Sequence, residues 1–186
     1  MRISLTHSQA TFTFAKGSRP QCIAHRGYKA AYPENTLAAF KSALEVGAHA
    51  IETDIHLSKD GVVVISHDAN LKRCFGKEDK IIDCDWDYLK TLRTIKPPHE
   101  PMPRLKDLLE YLTTPGLEDI WVLLDIKVPW PSLIEPLKKN RIDEWNKLDN
   151  DSDDVMRLIA TTLAEVKPTK PWNQRVLLGC WAVGST

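Results

Sequence analysis

The sequence predicts an α/β fold with a parallel sheet, of the type found in β/α barrels. Apolar runs of strand length alternate along the chain with amphipathic helical segments, which is typical of βαβ units. Acidic, histidine and arginine side chains follow several of these strands, as they do on the active face of β/α barrels. About five of the eight strands of a barrel can be assigned in 186 residues, whereas a complete barrel takes about 250 residues. We therefore expect an incomplete barrel.

Composition restricts the function classes. The chain is 42% apolar, enough for one buried core, and its 25 basic residues balance 25 acidic ones. A partner bound mainly through charge, such as a nucleic acid, is therefore not expected. The cysteines form no CxxC pair and no zinc-ligand spacing, so they indicate free thiols in a reducing compartment: Cys22, Cys74, Cys84 and Cys180.

The N-terminal segment and the lengths of the apolar runs predict an intracellular protein. Residues 1–20 contain no apolar core of a signal peptide and no packing pattern, which predicts a loose N-terminal arm. No apolar run reaches the roughly 18 residues that a membrane span needs. We expect a location in the cytoplasm or peripheral to an internal membrane, with peripheral membrane contact left open.

The first strand and the first helix follow this arm. A short strand over Gln21–Ala24 leads into His25-Arg26-Gly27. A helix then begins at Asn35 or Thr36, either of which can cap it, and ends at Gly47. Its apolar face has the helical spacing of three and four residues: Leu37, Phe40, Ala43 and Leu44.

The next segment carries the acidic residues. Ala50–Leu57 alternates apolar and polar residues, which predicts a strand with Glu52, Asp54 and His56 on one side. The turn Lys59-Asp60-Gly61 leads into a β-branched strand over Val62–Ser66 that precedes His67 and Asp68. The remaining predicted elements are a short strand at Ile81–Ile82, a helix from Asp85 through Leu92, a helix over Arg104–Leu112, a strand over Asp119–Lys127, a helix over Asp153–Val166 and a strand over Arg175–Trp181.

Several of these side chains suit the hydrolysis of a phosphodiester. Glu52 and Asp54 share one side of a strand, so both can bind a hard cation such as Mg²⁺ or Ca²⁺. The alternative is an exposed acid pair on an edge strand. His25 and His67 can exchange protons near neutral pH, and Arg26 offers a planar fork for phosphate oxygens unless it forms a plain surface ion pair.

The order of these motifs resembles the glycerophosphodiester phosphodiesterase family. The motifs are His25-Arg26-Gly27, Pro33-Glu34-Asn35-Thr36, Glu52-x-Asp54, Lys59-Asp60-Gly61 and His67-Asp68. The resemblance covers about residues 21–127 and resumes from about residue 148 to residue 181. In its later part, the amino-acid sequence resembles that of the fungal branch related to phosphatidylglycerol phospholipase C.

The resemblance implies a TIM-barrel phosphodiesterase with a divalent cation, Mg²⁺ or Ca²⁺. It implies His25 and His67 as the acid/base pair and Arg26 and Lys127 as phosphate-binding residues. Glu52 and Asp54 would be metal ligands, and Asp125 would replace the glutamate that many members supply as third ligand. Glu34 is expected to organise a loop, and His49 and His56 to be structural or exposed. The implied substrates are glycerophosphodiesters or phosphatidylglycerol-like phospholipids.

Residues 128–147 depart from the family pattern. They contain three prolines and two tryptophans and show no helical or strand period. One hypothesis is a retained intron, since 20 residues correspond to 60 nucleotides in frame and the flanking residues join smoothly. A loop insertion that acts as a lid is the alternative. A mature transcript that always keeps these nucleotides would exclude the intron.

The chain ends soon after the last of its roughly five predicted barrel strands. We therefore expect residues 21–186 to form a partial phosphodiesterase domain with two open sheet edges. Two hypotheses follow. In one, the chain is an active enzyme; in the other, it is an inactive truncated member that fails to complete the barrel or survives by self-association through those edges.

Overall fold

The structure is a computed structural model that describes residues 20–126 and 152–180. The predicted arm up to residue 19, the predicted insert at 128–147, Lys127 and the end of the last predicted strand at Trp181 lie outside the described residues. In chain order, the strands and helices are β1 (Ile23–His25), α1 (Leu37–Glu45), β2 (Ala50–Leu57), β3 (Val63–Ile65), α2 (Lys72–Phe75), α3 (Trp86–Leu89), α4 (Leu105–Leu112), β4 (Trp121–Ile126), α5 (Ser152–Glu165) and β5 (Val176–Cys180).

Four strands form a parallel sheet in the order β1-β2-β4-β5. In this sheet His25 at the end of β1 is the partner of Glu52 on β2. Asp54, two residues further along β2, is the partner of Asp125 on β4. The α/β fold predicted from the sequence is confirmed, and the register brings His25 and the three predicted metal ligands onto three adjacent strands.

The fifth strand, β3, runs antiparallel to β2, with Ile55 opposite Ile65. Ile55 also pairs with Ile126 of β4, so β3 lies on the same edge of β2 as β1. A parallel pair needs a connection of about a dozen residues or more, and residues 58–62 are too few for one. The predicted segment is a strand, but it forms a hairpin with β2 and does not extend the parallel sheet.

Two predictions in the segment after His67 are wrong in detail. Ile81–Asp83 is a 3₁₀ turn, not a strand, because the N–H of Cys84 donates to the carbonyl of Ile81 at 3.1 Å. The helix predicted from Asp85 through Leu92 is the short α3. The N–H of Trp86 donates to Oδ1 of Asp60 at 3.0 Å, so the cap comes from the turn before β3 and not from Asp85.

The main core lies between one face of the sheet and the helices α1, α4 and α5. Alternate residues of the strands supply the sheet side, including Ile51, Ile55, Val122, Leu124 and Ile126. The helix side includes Phe40, Leu105, Leu108, Leu109, Leu112, Val155 and Ile159. Because strand residues alternate between faces, the residues between these apolar positions point to the opposite side, where the acids lie.

Arg175 fixes the end of the sheet away from the acids. The residue is 2% exposed, and its guanidinium donates to the carbonyls of Leu112 (3.0 Å), Leu117 (2.7 Å) and Ile120 (2.9 Å). These carbonyls belong to the end of α4 and the segment before β4. A charged donor is therefore used to satisfy backbone acceptors that burial would otherwise leave unpaired.

Candidate active site

Three carboxylates meet on the sheet face opposite the core. Glu52, Asp54 and Asp125 each offer a carboxylate oxygen within 4.8 Å of the others, and they form the one such group of three in the parts of the chain that the structure describes. Asp54 is 1% exposed and Asp125 8%, and β2 is paired along both edges. This excludes the alternative of an exposed acid pair on an edge strand.

Burial and the neighbouring carboxylates raise the pKa of Glu52. Desolvation by burial raises its pKa, the charges of Asp54 and Asp125 raise it further, and the result is about 7 against an ordinary value of 4.5. Oxygen-only donors at this spacing are the chemistry that hard divalent cations such as Mg²⁺ and Ca²⁺ prefer. The residues therefore fit a metal ion, which would also offset the mutual repulsion of the carboxylates.

The loop after β1 brings Arg26 to this group. Arg26 has a positive φ of 62°, and its N–H donates to the carbonyl of Glu52 at 2.9 Å and to Oε2 of the same residue at 3.2 Å. Its Nε lies 3.3 Å from Oδ2 of Asp54. The pairing with an almost fully buried aspartate excludes the plain surface ion pair.

Gly27 permits this close approach of the loop to α1. Its φ is 77°, and a Cβ added there would lie 2.7 Å from the backbone carbon of Ala39. No side chain larger than hydrogen fits at this point without displacing the helix backbone. The glycine of the His-Arg-Gly motif is thus explained by packing and by backbone conformation together.

Asn35 supports the carboxylates from the Pro-Glu-Asn-Thr segment. Its Nδ2 donates to Oδ2 of Asp54 at 2.9 Å, and its Oδ1 accepts from Thr53 at 2.9 Å. Of the two predicted helix caps, Thr36 is the one observed, since its Oγ1 accepts from the N–H of Ala39 at 3.2 Å. Asn35 has a positive φ of 55° and a role that the cap prediction missed.

His25 lies at the edge of the carboxylate group. Its Nε2 is 3.7 Å from Oε2 of Glu52, and its Nδ1 is 3.2 Å from Nζ of Lys29. Desolvation and the neighbouring charges of Lys29 and Arg26 lower its pKa from the ordinary 6.5. With 55% of its side chain exposed, the ring is accessible to a substrate.

His67 is oriented by a separate chain of charges. Its Nδ1 is 2.6 Å from Oδ1 of Asp68, whose other oxygen accepts from Nε of Arg73 at 2.7 Å. Burial would raise the pKa of Asp68, but the hydrogen bonds from Arg73 and His67 outweigh it and lower that pKa to about 2. The contact occupies Nδ1, which leaves Nε2 of His67 as the ring atom for proton exchange with a ligand.

Arg73 and Glu34 connect the His67–Asp68 pair to Arg26 and the carboxylate group. Arg73 also donates to Oε1 of Glu34 at 2.8 Å, and the same oxygen accepts from Arg26 at 3.2 Å. This agrees with the expectation that Glu34 organises a loop. The sequence did not predict a role at the site for Arg73, Asn35 or Asp68. Asn35 and Asp68 lie within two of the predicted motifs, whereas Arg73 lies in none of them.

The remaining predicted residues, two histidines and a lysine, lie outside the carboxylate group or outside the described residues. His56 is buried and its Nε2 lies 3.3 Å from the carbonyl oxygen of His67. His49 is exposed and accepts from the N–H of Cys22 at 3.1 Å. Both fit the expectation of structural or exposed histidines. Lys127, predicted to bind phosphate, lies outside the described residues.

Comparison with known proteins decides the family. The sequence model of the glycerophosphoryl diester phosphodiesterase family matches residues 25–185. The chain belongs to this family. It is 38% identical over 132 residues to a glycerophosphodiester phosphodiesterase of Caldanaerobacter subterraneus, covering 67% of this chain and 53% of that protein. It is 33% identical over 142 residues to a mouse lysophospholipase D, covering 69% of this chain and 45% of that one. The chain therefore spans about half the length of these relatives.

Solved structures of family members confirm the fold. A phosphodiesterase of Oleispira antarctica, in complex with the product sn-glycerol-3-phosphate, is 25% identical with a TM-score of 0.66, over 88% of this chain and 58% of that one. A glycerophosphodiester phosphodiesterase of Agrobacterium tumefaciens is 21% identical with a TM-score of 0.63, over 89% and 59%. The sheet described above is thus part of a TIM barrel. Among the described helices, none is long and apolar enough to cross a membrane.

Proposed function

We propose that the chain is a metal-dependent phosphodiesterase that hydrolyses glycerophosphodiesters. The observation that carries this proposal is the meeting of Glu52, Asp54 and Asp125 beside His25 and Arg26. The named activities of the family relatives support the same reaction class. The amino-acid sequence of the later segments supports the branch similar to phosphatidylglycerol phospholipase C. A phosphatidylglycerol-like phospholipid is therefore the second candidate substrate.

A divalent cation, Mg²⁺ or Ca²⁺, would be held by Glu52, Asp54 and Asp125. When bound, it would polarise the phosphate and offset the charge of its non-bridging oxygens. Arg26 already lies against Asp54, so its guanidinium is placed to bind a phosphate oxygen next to the same carboxylate. Lys127 is proposed as the second phosphate-binding residue from the resemblance of its motif.

His25 and His67 would exchange the two protons of the reaction. One takes a proton from the nucleophile, which is water or the substrate's neighbouring hydroxyl, as its oxygen bonds to phosphorus. The other gives a proton to the alcohol oxygen as the phosphorus–oxygen bond to that alcohol breaks. The exposed ring of His25 and the oriented ring of His67 support these roles.

Hydrolysis of glycerophosphoglycerol by the purified chain tests this proposal. We expect turnover that a chelator abolishes and that falls by about 10²-fold or more in His25→Ala and in His67→Ala. His49→Ala is the matched control, because the ring of this exposed histidine accepts a hydrogen bond from the backbone of Cys22 at the start of β1, and its removal should leave turnover unchanged. Phosphatidylglycerol is assayed in parallel to distinguish the two substrate classes. Equal rates in all three variants would refute the assignment of the histidines.

A further inference from the structure

A cavity of about 120 Å³ lies beside the proposed site, and its wall includes Lys29, which contacts His25. Its walls come from the loop after β1, from α2 and from the segment before the Pro97-Pro98 turn. The lining side chains that matter here are Lys29, Glu34, Arg73, Thr94 and Lys96. None of the roles proposed above uses this space.

The cavity has a positive charge that its own residues do not offset. Nζ of Lys96 donates to the carbonyls of Lys29 at 2.7 Å and of Tyr32 at 2.9 Å, and Nζ of Lys29 contacts Nδ1 of His25. Within the described residues, neither ammonium forms an ion pair with a carboxylate. Two lysine charges therefore face the cavity without a counter-ion from the described parts of the chain.

The one carboxylate in the wall does not change this balance. Glu34 accepts from both Arg26 (3.2 Å) and Arg73 (2.8 Å), and these contacts hold its pKa below the usual range. Its negative charge is thus already paired with guanidinium groups. The charge of Arg73 is in turn shared with Asp68. The net field in the cavity is set by Lys29 and Lys96, and it attracts anions.

The position of the cavity links it to the reaction. Nζ of Lys29 is 3.2 Å from the ring of His25, and the opposite nitrogen of that ring is 3.7 Å from Glu52. Glu34 connects the same cavity to Arg26, which contacts Asp54. A substrate whose phosphate lies beside Asp54 and Arg26 would therefore have this cavity close to it.

We propose that this cavity binds a second anionic group, a carboxylate or a phosphate, on the alcohol of the substrate. The chain then prefers glycerophosphodiesters whose alcohol is itself acidic. This inference rests on the proposed function, since it assigns the cavity to the alcohol portion of the diester that the chain is proposed to hydrolyse.

Two matched substrate pairs test the preference. Glycerophosphoserine differs from glycerophosphoethanolamine only by a carboxylate, and glycerophosphoglycerol phosphate differs from glycerophosphoglycerol only by a phosphate. At low ionic strength, we expect kcat/KM to be about tenfold higher for the acidic member of at least one pair, because charge complementarity discriminates between such ligands. The pair with the larger ratio identifies the anion. Ratios near one in both pairs would overturn the proposal.

Variants of the lysines show whether the preference arises in this cavity. We expect Lys96→Met to lower the ratio about threefold and Lys29→Glu to reverse the preference. The ratio is the readout because Lys29 contacts His25, and a change in overall rate cancels between the two members of a pair. Lys90→Met is the control of equal charge change, since Lys90 pairs with Asp87 on the exposed surface. A ratio that Lys29→Glu leaves unchanged would contradict the proposal.

A binding measurement separates this inference from the proposed function. If no diester is hydrolysed, the proposed function fails, and calorimetric titration with the same substrate pairs still reports the preference of the cavity. Tighter binding of the acidic member, lost in Lys29→Glu, would support the cavity assignment by itself. Equal affinities in both pairs would overturn it.

Discussion

Asn35 donates to Oδ2 of Asp54 at 2.9 Å, and the same oxygen lies 3.3 Å from Nε of Arg26. The most buried carboxylate of the group is therefore oriented by an amide and a guanidinium from the one connection between β1 and α1. Hydrogen bonds of this kind fix the direction of a metal ligand and tune its affinity. The site depends on residues that do not themselves contact the proposed metal.

Removing the amide of Asn35 should weaken metal binding. We expect Asn35→Gly to reduce the affinity for Mg²⁺ or Ca²⁺ by about tenfold or more, since outer contacts of metal ligands have effects of that size. Glycine is chosen because the φ of 55° at this position is adopted readily without a side chain. Calorimetric titration measures the affinity. Unchanged affinity in a folded variant would show that Asn35 does not orient Asp54.

Glu52 should make the metal-free protein less stable as pH rises. Its pKa is about 7 in the fold against an ordinary 4.5, so between these values the unfolded chain releases a proton that the folded chain keeps. Stability therefore falls as pH rises from about 4.5 to 7, by roughly 3 kcal/mol in full, and the loss persists above pH 7. Glu52→Gln should then be the more stable protein at pH 8 in chelator, with little difference at pH 4.5. Urea unfolding at both pH values measures this, and an equal difference at the two would contradict it.

Arg73 should position His67 by holding Asp68. We expect Arg73→Gln to lower kcat by about tenfold with a smaller change in KM, because the geometry of the reacting groups is affected more than substrate binding. Adding Arg73→Gln to Asp68→Asn should change kcat by less than about twofold if both act on the same histidine. Lys72→Gln is the control, since the neighbouring Lys72 pairs with the exposed Glu78. Fully additive effects would show that Arg73 acts by another route.

The sequence predicted the parts of this molecule that depend on local patterns. Alternation along residues 50–57 was enough to place Glu52 and Asp54 on one face, and motif order was enough to identify the family. The direction of β3 is set by its pairing with β2, which a local pattern does not report. The connection of five residues between the two strands, however, is already too short for a parallel pair. The pairing of Arg73 with Glu34 joins residues 39 positions apart, which no local period reports.

The burial of Arg175 was also beyond sequence reasoning, which places arginine at the surface by default. We expect Arg175→Met to destabilise the protein by about 3 kcal/mol, because it leaves buried carbonyls without a donor. Lys170→Met removes an exposed ion pair with Asp119 and should change stability by less than about 0.5 kcal/mol. Urea unfolding compares the two. Equal stability of the two variants would show that the three carbonyls find other donors.

The central claim is that Glu52, Asp54 and Asp125 hold a metal ion that hydrolysis requires, and one titration tests it most directly. Metal-stripped protein is titrated with Mg²⁺ and with Ca²⁺ while metal binding and glycerophosphoglycerol hydrolysis are followed together, with Asp54→Asn and the exposed control Asp119→Asn. We predict that hydrolysis rises in proportion to the occupancy of one site, and that Asp54→Asn loses both while Asp119→Asn keeps both. Full hydrolysis by the stripped protein, or undiminished binding and turnover in Asp54→Asn, would contradict the account.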